Sequence, residues 1–186
     1  MFRLTRRGFT ERMTSRDAVL VAATVAVGLM AGLFFAFSVA VMPGLAKAAD
    51  RTLVDAMQRI NAAIQNGWFL LVFGGSLLLC AGAVVLCLRD GGRGPLPWVI
   101  AATVLYLAVL AVTFGVSIPL NDRLDAAGDP GGLADAAGVR ERFEAAWVRW
   151  NLVRTLLCTG ALGCLGWALV LSGRAVAEAA IRTGHM

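Results

Sequence analysis

The sequence predicts an all-α membrane protein: a bundle of four transmembrane helices with a small extracytoplasmic helical cap. Three observations carry this reading. Four apolar runs, about 18–42, 68–88, 97–120 and 150–172, each approach the roughly 20 residues that a helix needs to cross a bilayer. Hydrophobic residues make up 59% of the 186-residue chain and charged residues 16%, where a soluble domain carries about a quarter charged. Of the segments between the runs, the short loop with Arg89 and Arg93 is basic, the third loop is net acidic, and the first loop is nearly balanced. Four spans and their connections use nearly all the residues, so one membrane domain (17–173) is expected, with no second domain.

The basic N-terminal segment, residues 1–16, holds Arg3, Arg6, Arg7, Arg12 and Arg16 against Glu11. Such a juxtamembrane segment faces the cytoplasm and its anionic lipids. It accounts for much of the net charge of +5. No basic stripe with interleaved aromatics remains, so no nucleic-acid partner is expected. Thr5 to Thr10, T-R-R-G-F-T, resembles a twin-arginine export signal, and A-K-A-A at Ala46 to Ala49 resembles a cleavage site. The apolar stretch between them, about 25 residues, is much longer than the 7–15 of a signal core, so a retained first helix is expected.

That first helix carries Gly28 and Gly32 at a spacing that lets another helix approach closely, and Pro43-Gly44 is expected to stop it. Asp50 to Asn66 is amphipathic. Leu53, Met57, Ile60 and Ile64 recur at helical spacing, which predicts a short outer helix lying on the bundle or on the headgroups. Trp68 anchors the second helix, and R-D-G-G-R-G-P-L-P turns the chain into the third, anchored by Trp98. Pro119 removes a backbone donor and should loosen the last turn of helix three. The acidic third loop, Asp122 to Arg149, starts flexible. It turns helical where Val139, Phe143, Trp147 and Trp150 follow a three-to-four spacing, so helix four begins near Asp135. The short loop with Arg89 and Arg93 and the tail 174–186 with Arg174 and Arg182 read as cytoplasmic. The localisation expected is therefore the plasma membrane, multi-pass, with both termini cytoplasmic. Cys80, Cys87, Cys158 and Cys164 sit in apolar runs and read as core thiols. The only histidine is His185, so no metal site is expected within the membrane.

One charge intrudes on the fourth run. Trp147, Asn151, Arg154 and Cys158 are spaced four, three and four, which makes one stripe on helix four. Tyr106, Thr113, Ser117 and Asn121 form a similar stripe on helix three, and Gln58, Asn61, Gln65 and Asn66 are available from the outer segment. A guanidinium in low dielectric needs acceptors, and these amides, carbonyls freed near Pro119, or Asp122 as an ionic partner are candidates. Two accounts of Arg154 stand side by side. It ties the helix ends together or snorkels to the interface. Or it points into an outward-opening pocket, walled by Trp147 and Trp150, and stabilises an anionic ligand.

The glycine-rich first helix, M-Q-R-I-N-A-A-I-Q-N, I-P-L-N-D-R-L and F-E-A-A-W-V-R-W-N-L-V-R-T together resemble the anthrone-oxygenase-like membrane proteins, over roughly Val21 to Gly173. The bacterial members of that family are mostly a domain of unknown function. The fungal members look like cofactor-free oxygenases that convert an anthrone to an anthraquinone. The resemblance implies a small hydrophobic aromatic ligand and no cofactor. It implies that Asn61, Asn121, Trp147, Trp150, Asn151 and Arg154 occupy motif positions. Arg154 would hold the substrate anion, with Asn121 and Asn151 donating hydrogen bonds. No evident base accompanies them, because Asp122, Glu141 and Glu144 read as lying in or near a loop. The alternative is a non-enzymatic accessory or assembly subunit, in which the glycines make contacts, including those of a homo-oligomer. A transporter ranks third, since four spans are few for alternating access and no inverted repeat is visible.

Overall fold

The computed structural model describes residues 14–184, with side chains for 14–175. The basic residues Arg3, Arg6, Arg7 and Arg12, the motif Thr5 to Thr10, the side chains of Glu178 and Arg182, and His185 lie outside the described residues. Within them all the regular structure is helical. Helix α1 (Ser15–Ala36) passes through a π turn (Phe37–Val41) into the short α2 (Met42–Leu45). Helix α3 (Asp50–Ile64) follows, then α4 (Gly67–Arg89) and α5 (Leu96–Val112). A second π turn (Thr113–Ser117) leads into α6 (Ile118–Asp125), and α7 (Ala136–Gly184) closes the chain. Four continuous helical stretches are long and apolar enough to cross a membrane: Ser15–Leu45, Gly67–Arg89, Leu96–Asp125 and Ala136–Ala175. The protein is thus a multi-pass membrane bundle.

Local chemistry sets the ends. Thr14 caps α1, accepting from the Asp17 amide at 3.2 Å, and Asn66 caps α4, accepting from the Phe69 amide at 3.0 Å. Helix α4 ends where Gly91 adopts φ +68°, which lets the Gly92 amide reach back to the Cys87 carbonyl at 2.9 Å. Helix one runs just past Pro43-Gly44, and helix three passes Pro119 to end at Asp125 instead of fraying at the proline. Each proline sits two residues beyond a π turn. Its ring would clash with the carbonyl four residues back, that of Val39 or Gly115, and both of those residues lie in the widened turn.

Lipid offers no hydrophobic drive between helices, so close packing holds the bundle. Helix α7 packs along α1 and α5, and α1 packs along α4. Leu20, Val27, Cys80, Ala83, Tyr106, Val109, Cys158 and Leu165 fill the centre, and all four cysteines are free thiols. A Cβ on Gly28 would lie 3.5 Å from Leu162 Cδ1, whereas one on Gly32 would meet nothing within 4 Å. Gly28→Leu is therefore expected to force α1 off α7, at a cost of about 1–3 kcal/mol read as a lower thermal midpoint in detergent. Gly32→Leu is expected to leave that midpoint in place; equal effects of the two would contradict this packing.

Helix α3 forms the cap together with α2, α6 and the first turns of α7. Met42, Leu53, Val54, Met57, Leu124, Phe143 and Trp147 bury one another there. Polar clamps pin this cap. Arg51 donates to the carbonyls of Pro130, Gly131 and Leu133 at 2.6–3.0 Å, and Gln58 donates to those of Leu124 and Gly128. Arg140 bridges Glu144 at 2.6 Å and Asp50 at 2.9 Å, and donates to the carbonyls of Ala46 and Ala48. At the opposite end Arg16 donates to Ser172 Oγ at 3.0 Å, which donates to Asp17 at 2.6 Å.

Candidate functional site

Beneath the cap, the polar stripes of the third and fourth spans meet around a cavity of about 300 Å³. Its walls are mainly apolar: Leu33, Phe34 and Phe37 from the first span, Phe69 and Phe73 from α4, and Ile60 and Ile64 from the cap. The polar lining is Asn61, Gln65, Thr113, Ser117, Asn121, Asp122, Asn151 and Arg154, with Trp147 closing one side. A few convergent polar groups in an apolar hollow of this size are the usual make-up of a small-molecule site.

The two π turns place much of this lining. An ordinary helix drifts forward when residues are read four apart, and a π turn rotates them back. Thr113, Ser117 and Asn121 therefore stay on one face and all reach the cavity. In the first span the widened turn interrupts the regular ladder near Phe34, whose carbonyl accepts from Asn151 Nδ2 at 2.9 Å. Tyr106 is directed elsewhere, donating to the Phe73 carbonyl at 2.8 Å below the cavity.

Arg154 is 6% exposed, too deep for a snorkelling side chain. Its guanidinium lies over the Phe34 ring at 4.5 Å and 5.6 Å from the Trp147 ring. Its one hydrogen bond within the described residues runs from Nη2 to Asn151 Oδ1 at 3.0 Å, on its own helix. Nε is buried without a partner, and no carboxylate of the described residues lies within ion-pair distance. Of the candidate partners, Asp122 is not paired with Arg154, and the amide of Asn151 is. A cation held this way ties no helices together by polar bonds. Aromatic rings stack against it, and its Nη1, without a hydrogen bond among the described residues, is left for the cavity that Arg154 lines.

Asn151 plays a different part from the one expected. Its Nδ2 is already committed to Phe34 O and Ser38 Oγ, both at 2.9 Å, and its Oδ1 to Arg154. It positions the guanidinium and has no donor left for a ligand. Asn121 accepts from Trp147 Nε1 at 3.0 Å through Oδ1, which leaves its amide N–H groups for the cavity. Asn61 contributes a buried Nδ2 without a partner among the described residues. Trp150 is a correction. It sits one residue, about 100° of helix, from Asn151 and is not among the residues lining the cavity. A cluster paced in threes and fours selects Trp147 but not its neighbour three residues on.

Asp122 is the residue whose placement the sequence missed. Helix α6 continues through it, so it projects from a helix as the one carboxylate among the lining residues, at the exposed rim. Glu141 and Glu144 belong to α7, and Glu144 is engaged by Arg140. Asp122's position next to Asn121 and four residues after Ile118, in the I-P-L-N-D-R-L motif, was the available signal.

The family described as anthrone oxygenase matches residues 68–164, just over half of the chain. The match contains Asn121, Asp122, Trp147, Asn151 and Arg154, while Asn61 lies upstream of it. No curated protein and no solved structure matches the chain.

Proposed function

Because the chain belongs to the anthrone oxygenase family, we propose that its cavity binds an anthrone-type, polyketide-like aromatic and oxygenates it without a cofactor. One observation carries this reading: Arg154 is a buried cation with no carboxylate partner among the described residues, and it borders an apolar cavity of ligand size. Such a charge is costly to hold and has most use where a negative charge must be stabilised.

The chemistry follows from the lining. An anthrone carries an acidic CH2 opposite a ring carbonyl. Asp122 at the rim takes one methylene proton, and the negative charge delocalises onto the carbonyl oxygen. Arg154, Asn121 and Asn61 supply donors for that oxygen, so the anion is favoured over the neutral ring system. Dioxygen adds to the carbanionic carbon to give a peroxide. Loss of water, with departure of the second methylene hydrogen, leaves a new carbonyl. The balance is CH2 plus O2 giving C=O plus H2O, and no further reductant is required.

Labelling tests this directly. With ¹⁸O2 and an anthrone, the purified protein is expected to accelerate formation of quinone carrying one ¹⁸O in the new carbonyl. Oxygen drawn from water, or no acceleration over the spontaneous reaction, would contradict it. The accessory-subunit alternative rests on Gly32, which is open to the lipid and would shift oligomer size when changed to Leu. The setting proposed is the plasma membrane with both termini cytoplasmic, since Arg16, Arg89, Arg93 and Arg174 gather at the end opposite the cap. A reporter fused at the C-terminus and found outside would contradict that orientation.

A further inference from the structure

We propose that the ligand of this cavity enters sideways from the hydrocarbon of the bilayer, through a slit between α4 and the π turn and helix that continue α5. The substrate class is then a membrane-dissolved planar aromatic with one ionisable edge. This rests on the reading above for the identity of the ligand, but not for the route.

Elsewhere around the cavity the spans pack closely along their length. Helices α1 and α7 pack along each other, α7 packs along α5, and α1 packs along α4. The roof is the C-terminal half of α3, held down by Gln58 on the carbonyls of Leu124 and Gly128. Helix α4 packs against α5, but it makes no comparable contact with Thr113–Ser117 or α6, so the two spans part towards the cap.

The residues at that parting have two surfaces each. Leu70 is 59% exposed, Phe114 62% and Ile118 38%, yet all three line the cavity. An exposed apolar side chain on a membrane bundle ordinarily faces lipid alone, but these face lipid and the cavity at once. That is the signature of an opening, not of a wall. Just inside, Phe69 and Phe73 stack at 5.2 Å with an interplanar angle of 12°, and Phe114 stands 6.4 Å from Phe73. A flat ring system sliding inwards would pass along these faces. Gln65 and Asp122 mark the upper rim of the slit, and both are exposed. An amphiphilic aromatic would keep its polar edge at that level while its rings stay in hydrocarbon. Three fused rings are driven out of water into the bilayer, so the lipid is where such a substrate is concentrated.

The test reads the route without needing any oxygenase activity. Thr113→Cys places a thiol on the cavity wall of the protein in vesicles, with labelling of the native thiols subtracted from a parallel parent sample. We expect pyrenyl maleimide dissolved in the lipid to label it about tenfold or more faster than a charged, water-soluble methanethiosulfonate, because an apolar reagent concentrates in hydrocarbon. Ile118→Trp, and independently Leu70→Trp, should fill the slit and remove most of the lipid-phase labelling. Asp122→Cys at the rim should remain open to the charged reagent in both backgrounds. Equal or faster labelling of Thr113→Cys from water, or lipid-phase labelling unaffected by both tryptophans, would overturn the proposal. A wild type that forms no quinone but still shows slit-dependent labelling would sink the oxygenase reading and leave the route standing.

Discussion

Arg154→Ala is expected to lose about a hundredfold in affinity for an aromatic anion without losing thermal stability. Truncating one partner of a buried, hydrogen-bonded charge pair costs about 2–5 kcal/mol, and each 1.4 kcal/mol is a factor of ten. The stability side has opposing contributions. Removal leaves Asn151 Oδ1 without its donor, which costs about 1–3 kcal/mol, and ends the stacking over Phe34 at 4.5 Å, which contributes about 2 kcal/mol. Against this, it relieves the burial of an unpaired cation, whose desolvation costs several kcal/mol. The expected net change is near zero or stabilising. A cation kept only to brace the bundle would give the reverse pattern. Lysine should not substitute well, because a compact ammonium cannot both stack on Phe34 and hold Asn151. Quenching of tryptophan fluorescence by a hydroxyanthraquinone phenolate, in nanodiscs, reads the affinity, and a melting curve on the same sample reads the stability. A large fall in melting temperature with binding retained would make Arg154 a structural tie and remove it from the site.

Asp122→Asn should slow anthrone oxidation by about 10²- to 10⁴-fold, the usual contribution of a positioned base. Binding of the phenolate probe should be spared, because that ligand arrives already ionised. The deficit should narrow as pH rises, since anthrone that ionises in solution no longer needs the protein to take its proton. The same variant should be stable, because Asp122 is exposed and engages no partner among the described residues. A variant whose rate matches the parent's at every pH would show that the proton goes elsewhere, to water or to the substrate's own oxygen.

The bundle was legible because burial in lipid writes itself as length and hydropathy, and each of the four runs falls within one of the four spans. The cap was legible too: Leu53, Met57, Ile60 and Ile64 recur at helical spacing, and they do face the cap core or the cavity. What could not be read was register through the prolines. Pro43-Gly44 does stop the first helix, at Leu45, but Pro119 reads in one dimension only as a loosened last turn. In three dimensions a π turn absorbs the Pro119 ring and carries the helix on to Asp125, which is how Asp122 moves from loop to helix and onto the cavity rim. Arg154 was visible as a misplaced charge, but its environment was not. Whether a neighbouring amide serves the ligand or serves the arginine depends on who else is within 3 Å, and for Asn151 the answer is Phe34, Ser38 and Arg154. Proximity in W-V-R-W-N and the family resemblance brought Trp150 into the cluster, and helical geometry takes it out again.

Oxygen uptake bears most directly on the central claim. Purified protein in nanodiscs would be given emodin anthrone, wild type beside Arg154→Ala, with the spontaneous rate subtracted. The account predicts uptake well above background in the wild type, one O2 consumed per quinone formed, and about a hundredfold or greater loss in the variant, the scale of removing one preorganised donor to a developing anion. Wild-type uptake no faster than background would contradict the oxygenase reading. Uptake that survives intact in Arg154→Ala would contradict the role given to the buried cation.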